Sequence, residues 1–409
     1  MEKRPKIFII DDEPEIIELI SAILEASGYE VLGETSSDNA MARIEDEKPD
    51  CVLIDIMMPG KDGLELCREI KANKNISDIK VVIVSAKTYE FDKKRAFELG
   101  ADGFINKPIN PETFGESIAV ILEDAMELTF WGVRGTLPVP GERTLKYGGN
   151  TSCLSVEFSH GDFFIFDAGS GIKELSNHLL ASSQAKLEAK IFISHPHWDH
   201  INALPFFVPL YIQGNEFEIL GASNADLSMR EMISAQMDGV YFPISLKEFS
   251  SRVYFRDLRE ETIEIGDITV KTMLLSHPGY CLGYRIEYHG RSICYITDNE
   301  LFLEDDPSYN PSYVQKLADF IRGTDALITD CTYMDGEYTT KVGWGHSCVD
   351  RVVDLADQAE VKNLYLFHHD PDQDDAAIDE KLKVTQAQLK SRKSSTVCLA
   401  PAEGDKVRI

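Results

Sequence analysis

Lysine and arginine are scarce in this chain of 409 residues: 41 stand against 69 aspartates and glutamates, a formal net charge of −28. A surface that acidic repels a phosphate backbone and offers no electrostatic footprint for a long nucleic acid. Polymeric RNA or DNA is therefore not an expected partner. No run of about 18 apolar residues occurs, so no membrane-spanning helix is expected. The apolar run behind the charged start of the chain, Ile7 to Ile10, is too short for a secretory leader. A cytoplasmic protein without a membrane partner is expected. The eight cysteines contain no C-x-x-C pair; they read as free thiols in a reducing compartment, not as a disulfide framework or a cysteine zinc site. Gly/Ser-rich and Pro-rich linkers, internal repeats and low-complexity stretches are also missing. At roughly 100–200 residues per domain, the length corresponds to two or three domains.

What is present changes character along the chain. In residues 1–125, short apolar runs alternate with helical patterns. Lys6–Ile10, Cys51–Ile54, Val81–Val84 and Gly103–Asn106 read as strands, and Glu15–Ala26 as an amphipathic helix that stops at Gly28. This alternation predicts an α/β, doubly wound parallel sheet, whose ligand site lies at the carboxyl ends of its strands. Asp11 and Asp12 follow the first run, Asp55 the second, Ser85 the third and Lys107 the fourth. Three carboxylates gathered at one edge repel one another unless a hard cation sits among them, and Mg²⁺ suits an all-oxygen set. A carboxylate is also a competent phosphoryl acceptor. Ser85 is placed to hydrogen-bond the phosphoryl group and Lys107 to neutralise it. The motifs I-I-D-D-E-P, L-I-D-I-M-M-P-G-K-D-G, I-V-S-A and K-P resemble those of response-regulator receiver domains over residues 5–124. The resemblance implies Asp55 as phospho-acceptor, Asp11 and Asp12 as Mg²⁺ ligands, Phe104 as the switch aromatic, and a cognate histidine kinase as partner.

Pro111–Glu127 reads as a helix running almost directly into an apolar strand, Leu128–Trp131. With no flexible linker between them, the two domains are expected to be held close. Beyond the junction, short strands with turn signals predominate, from Ser152–Phe158 to Asn363–Phe367, with helices such as Ile172–Leu180 and Val349–Gln358 between them. The pattern predicts an αββα sandwich of two mixed sheets over residues 126–409. Residues 205–260, rich in Phe, Tyr, Pro and Met, read as an insertion serving as a lid or as a contact in a homodimer.

The chemistry concentrates in Ile-Phe-Ile-Ser-His195-Pro-His197-Trp-Asp199-His200, four metal-capable side chains in six residues directly after a strand. Such a loop can aim His195 and His197 at one ion, and Asp199 and His200 at a second. Imidazole with carboxylate suits Zn²⁺, Mn²⁺ or iron and does not decide among them. His277, Asp298 and the pair His368–His369 follow other strands. This is similar to the metallo-β-lactamase-fold hydrolases. The resemblance implies His195, His197 and His277 on one metal, Asp199, His200 and His368 on the other, and Asp298 bridging. His368 is preferred to His369 because it comes first after its strand. Asp330 closes another strand, as a carboxylate that orients a ligand histidine. Asp167 either does the same or caps the glycine turn that follows it.

Gly-His346-Ser resembles a motif of the ribonuclease-Z-like and cyclic-phosphodiesterase-like branch, which implies that His346 assists the leaving group. Trp131-Gly-Val-Arg-Gly-Thr and Tyr147-Gly-Gly-Asn-Thr-Ser resemble the opening of the same branch. Asn150 and Thr151 are expected along the substrate cleft, and Arg134, Arg143 and Lys146 as a minimal basic groove. The expected function is a response regulator whose output hydrolyses a small, cyclic or short, nucleotide phosphodiester. Asp199 would handle the proton of the attacking water and His346 that of the leaving oxygen. Three other readings compete: an acyl or thioester hydrolase, a flavodiiron reductase, and a phosphorylation-controlled binding module with an inactive hydrolase fold. The Gly-His-Ser motif opposes the first, His197 in place of a glutamate the second, and the complete ligand set the third.

Overall fold

The computed structural model describes residues 4–86, 90–181, 186–224, 226–240 and 242–409. The chain divides into two compact units, one of Met1–Met126 with Glu157–Asp162 and the other of Glu127–Val156 with Phe163–Ile409.

The N-terminal unit is a five-stranded sheet in the order β2-β1-β3-β4-β5. Its strands are β1 Lys6–Ile10, β2 Glu30–Glu34, β3 Cys51–Ile54, β4 Lys80–Ser85 and β5 Gly103–Asn106, all paired in parallel. The central strands are apolar on both faces because helices cover both. Phe8, Ile10, Val52, Ile54, Val81 and Ile83 pack on one side, and Ile7, Ile9, Cys51, Leu53, Val82 and Val84 on the other. Side chains two apart share a face, so the alternation follows from the pleat. β2 is absent from the sequence reading. It is an edge strand, Glu-Val-Leu-Gly-Glu, partly exposed and interrupted by glycine, and it carries no apolar run.

The helix expected over Pro111–Glu127 is shorter, Phe114–Leu122. Asp124 adopts a left-handed φ of 50° and Ala125 N–H bonds back to Val120 O, which closes the helix. Met126 already belongs to the next strand.

The C-terminal unit contains two seven-stranded sheets. The first has the order β11-β10-β9-β8-β7-β6-β19, built from β6 Met126–Gly132, β7 Cys153–Phe158, β8 Phe163–Phe166, β9 Glu188–Ile193, β10 Glu216–Ala222, β11 Arg252–Leu258 and β19 Lys406–Arg408. The second runs β12-β13-β14-β15-β16-β17-β18, from β12 Thr262–Ile265, β13 Ile268–Leu274, β14 Leu282–Tyr288, β15 Arg291–Ile296, β16 Ala326–Asp330, β17 Asn363–Phe367 and β18 Val397–Leu399. Both sheets are mixed: β12–β15 pair antiparallel, while β15–β18 pair in parallel.

Aromatic rings fill the space between the sheets. Phe166 and Phe192 of the first sheet meet Tyr284 of the second at 5.7 and 5.4 Å between centroids, and Phe130 meets Phe367 at 6.3 Å. The intervening residues of the same strands, Ile165, Ile191 and Ile193, face the opposite way into an aliphatic cluster. That cluster also takes in Phe207, Leu210, Phe217, Met229 and Met232. Residues 205–260 are therefore no insertion. They supply β10 and β11 and part of the core, with Phe207 and Phe217 buried while Phe206 and Tyr254 stay exposed. All eight cysteines are buried thiols. Among the described residues no helix is long and apolar enough to cross a membrane.

Candidate metal centre

In the C-terminal unit, the polar residues singled out from the sequence gather where strands end. Asp167 follows β8, His195 and Asp298 come two residues after β9 and β15, Asp330 closes β16, and His368 follows β17. Asp167, Asp298 and His368 adopt left-handed φ values of 59°, 35° and 57°. Non-glycine residues avoid that region, and such local strain clusters at functional sites. The helical turn Trp198–Ile201 buries Asp199 and His200, while His197 stays at the exposed edge.

Beside a third group of Asp330, His346 and His368, two groups of four donors result among the described residues, each within 4.8 Å: His195, His197, His277 and Asp298, and Asp199, His200, Asp298 and His368. The two oxygens of Asp298 are divided between them. Oδ2 lies 3.5 Å from His195 Nε2 and 3.7 Å from His277 Nε2. Oδ1 lies 3.2 Å from His200 Nε2 and 3.1 Å from His368 Nε2. His277 Nε2 is 3.1 Å from His197 Nδ1, and Asp199 Oδ2 is 3.2 Å from both His200 Nε2 and His368 Nε2. Donors bound to one ion at about 2.0–2.2 Å stand roughly 3–3.6 Å apart, so these spacings fit two ions sharing Asp298.

The chemistry of the donors agrees. His195 Nε2 and His200 Nε2 are buried without a hydrogen-bond partner, a costly arrangement for polar atoms unless something binds them. Burial, helped by the neighbouring rings, pushes His195 well below its ordinary pKa and also lowers His197 and His277. They are thus neutral, as metal ligands must be. Burial opposes ionisation of Asp199, but the adjacent imidazoles outweigh it and hold the carboxyl well below its usual range. Burial likewise opposes charge on His200, yet Asp199, Asp298 and Asp167 outweigh it and raise that ring. The second group gathers two carboxylates, Asp199 and Asp298, where the first has Asp298 alone.

A surrounding layer fixes these ligands. Asp167, fully buried, accepts from Ser194 N at 2.7 Å, Ser194 Oγ at 2.8 Å and Tyr295 OH at 2.7 Å, and contacts His200 Nδ1 at 2.7 Å. Ser194 Oγ is in turn 3.1 Å from His195 Nδ1, so one carboxylate supports a histidine of each group. Thr136 N donates to Asp199 Oδ2 at 2.7 Å. Gly135 passes so close that a Cβ there would lie 1.9 Å from the His368 ring. His368 Nδ1 meets Thr332 Oγ1 at 3.2 Å. His369 turns the other way, with both ring nitrogens buried and its ring 6.2 Å from that of Tyr147.

Asp330 holds His346 directly and reaches His368 through Thr332, whose Oγ1 donates to Asp330 and lies 3.2 Å from His368 Nδ1. Its Oδ2 is 2.8 Å from His346 Nδ1, and Asn299 N, Thr332 N and Thr332 Oγ1 satisfy the rest of the carboxylate. Burial works against charge on His346, but Asp330, with Asp298 and Asp199 behind it, raises the ring to about 9. His346 stacks on His368 at 4.8 Å and lies 5.4 Å from His277, both between ring centroids.

The sequence reading missed Ser194, Tyr295, Thr332 and Glu300. Glu300 is buried, accepts from Gly343 N and Gly345 N at 2.7 Å each and from Tyr338 OH at 2.8 Å, and so shapes the loop bearing His346. Only Ser194 and Glu300 stand close enough to ligand motifs to have been readable.

Two expectations are corrected. Asn150 and Thr151 tie loops together: Asn150 N and Nδ2 donate to Glu403 at 2.6 and 2.8 Å, and Thr151 is fully buried against Ser170. Of the expected basic groove, Arg134 is withdrawn, while Arg143 and Lys146 stay exposed in surface ion pairs. Arg134 is fully buried, with its guanidinium on the carbonyls of Gly148 and Gln373. Lys146 pairs with Asp379 at 2.5 Å, and Arg143 approaches Asp374 at 3.8 Å.

In the N-terminal unit, Lys107 Nζ bridges Asp11 Oδ2 at 2.7 Å and Asp55 Oδ1 at 2.8 Å, and Met57 N donates to Asp55 Oδ2 at 2.6 Å. Burial lowers the Lys107 pKa, and the two carboxylates more than reverse it. Asp12 is half-buried, Ser85 is buried at the end of β4, and Phe104 is half-buried against the core.

The Response regulator receiver domain family matches residues 7–119, and the Beta-lactamase superfamily domain family matches residues 163–369. The N-terminal segment is similar to the alkaline phosphatase synthesis transcriptional regulatory protein PhoP of Bacillus subtilis, 38% identical over 117 residues, covering 29% of this chain and 48% of that protein. The phosphate regulon transcriptional regulatory protein PhoB of Pseudomonas aeruginosa is 36% identical over 143 residues, 35% of this chain and 58% of that protein. The chain spans about half the length of the curated relatives it matches. Among solved structures, the metallo-beta-lactamase fold protein YhfI of Bacillus subtilis is 18% identical, with a TM-score of 0.50, covering 70% of this chain and 100% of that one. Unliganded yeast PDE1 is 14% identical, with a TM-score of 0.53, covering 70% and 99%. At these identities the likeness shows the fold.

Proposed function

The chain belongs to the beta-lactamase superfamily and carries a response-regulator receiver domain ahead of that fold, and from this we propose that it is a phosphorylation-controlled phosphodiesterase acting on a small nucleotide phosphodiester. The observation that carries the reading is the division of Asp298 between two donor groups, with His346 held beside them by Asp330. Two divalent ions bound there, Zn²⁺, Mn²⁺ or iron, supply Lewis acidity that acidifies water and offsets phosphoryl charge.

The chain's own residues do the rest. Asp199, anchored by Thr136 N, orients the attacking water and holds its proton. His346, kept protonated by Asp330, delivers a proton to the departing oxygen. Asp167, Ser194 and Thr332 hold the ligand imidazoles in one orientation, and Glu300 fixes the loop that carries His346. A small substrate accords with the excess of acid over the chain and with the burial of Arg134, which withdraws one cation from any track for a polymer. In the receiver, Asp55 accepts a phosphoryl group from a histidine kinase, with Mg²⁺ on Asp11 and Asp12 and with Ser85, Lys107 and Phe104 reading the modified state. The domain assignment is 1–125 for the receiver and 126–409 for the hydrolase.

The test is one preparation, reconstituted with Zn²⁺ or Mn²⁺, subjected to elemental analysis and assayed on a chromogenic phosphodiester, a thioester and a β-lactam. Two ions per chain and preference for the phosphodiester are expected. One ion or none, or faster thioester or lactam hydrolysis, overturns the reading.

A further inference from the structure

Three large aromatic side chains stand exposed on segments that touch the same pair of histidines. Trp198 lies between His197 and Asp199 and is 81% exposed. Tyr280, 54% exposed, follows Gly279, whose Cβ position lies 3.5 Å from His197 Nε2. Trp344, 60% exposed, precedes Gly345, whose carbonyl oxygen lies 2.9 Å from His277 Nδ1. His197 and His277 are themselves 3.1 Å apart. Two of the chain's three tryptophans thus sit at one rim. Single exposed apolar residues need no explanation, but a cluster beside a polar centre marks a binding surface.

The supporting backbone is costly and firm. Tyr280 holds a left-handed φ of 60°, unusual for a bulky residue. Trp344 rides on the loop that the buried Glu300 grips through Gly343 N and Gly345 N. Lys341 Nζ sits 4.6 Å from the centre of the Trp344 ring, ordering it from one side.

We propose that Trp198, Tyr280 and Trp344 stack the base of the substrate, so that the centre takes nucleoside phosphodiesters in preference to base-free sugar or alkyl phosphodiesters. The proposal rests on the phosphodiesterase reading and adds what recognises the part of the substrate that carries no phosphate. Every nucleobase presents a flat π-face, so stacking tolerates different bases and needs no cationic track. A surface of aromatic rings with Lys341 as its cation matches that occupant.

Binding tests this without turnover. The metal-loaded full chain is titrated with adenosine 5′-monophosphate and with ribose 5-phosphate by calorimetry. The nucleotide is expected to bind at least about 10-fold more tightly. Trp198→Ala, Tyr280→Ala and Trp344→Ala should each shrink that ratio by about 5-fold or more, toward parity. Tyr280→Phe should retain it, as should Val397→Ala at an exposed site on β18. Equal binding of the two ligands, survival of the ratio in all three alanine variants, or tighter binding of a long-chain alkyl phosphate overturns the proposal. Turnover of bis(p-nitrophenyl) phosphate by the same preparation reads the underlying activity separately. Nucleotide preference without turnover sinks the phosphodiesterase and leaves the stacking wall, and turnover without nucleotide preference does the reverse.

Discussion

Asp167 Oδ2 lies 2.7 Å from His200 Nδ1 and, through Ser194 Oγ, also steadies His195. Removing the charge while keeping the shape isolates what that carboxylate does. Asp167→Asn is expected to weaken metal binding about 10- to 100-fold, read by competition with a chromogenic chelator. His200 loses its oriented acceptor, so the loss should fall first on the group that holds Asp199 and His368. Wild-type affinity in the variant would reduce Asp167 to a turn cap.

The pairing of His346 with Asp330 makes the leaving group diagnostic. His346→Ala should slow hydrolysis of a diester with an alkoxide leaving group by about 10²- to 10⁴-fold. The loss should be far smaller when p-nitrophenolate departs, because that oxygen leaves without a proton. Asp330→Asn should fall between the two, with metal content retained. Equal losses on both substrates would argue that His346 shapes the site instead of donating a proton.

Much of this centre could be read from the chain, and the reason is local. His195, His197, Asp199 and His200 occupy one loop, and Asp298 and His368 follow apolar strands, so periodicity alone brings them to one edge. What could not be read depends on packing across the two sheets. Tyr295 reaches Asp167 from the opposite sheet, and Thr332 reaches His368 from a neighbouring strand end. Arg134 resembled a groove cation because nothing in its sequence neighbourhood announces burial. The carbonyls that bind it belong to Gly148 and Gln373, the latter 239 residues away. Within residues 205–260, β11 went unread for a related reason: Arg-Val-Tyr-Phe-Arg-Asp-Leu carries no long apolar run, and only topology says which sheet absorbs it.

Lys107 joined to both Asp11 and Asp55 gives the receiver a labelling test. Incubation with acetyl phosphate and Mg²⁺ should incorporate label in the wild type and none in Asp55→Asn. Lys107→Ala should still be labelled, because the acceptor oxygen remains, but should fail to pass the change on to the hydrolase. Equal labelling of wild type and Asp55→Asn would rule Asp55 out as the acceptor.

The junction supplies the last prediction. Only Glu123, Asp124 and Ala125 separate the helix Phe114–Leu122 from β6. Asp124 is in the left-handed region, Ala125 N–H is bonded to Val120 O, and β6 enters directly into pairing with β19. A short segment with fixed dihedrals transmits displacement, whereas a Gly/Ser chain lets its ends fluctuate independently. If phosphorylation at Asp55 governs hydrolysis through this connection, a Gly/Ser spacer of about 12 residues placed after Asp124, long enough to behave as a flexible coil, should erase the difference in kcat between the phosphorylated and unphosphorylated states. Hydrolysis itself should persist, because the donor groups lie wholly within residues 195–368. Labelling at Asp55 should persist as well, since β1, β3 and β5 lie outside the spacer. Undiminished phospho-dependence in the spacer variant would mean that control passes by another route, and loss of hydrolysis together with regulation would mean that β6 depends on the native junction for its place in the sheet.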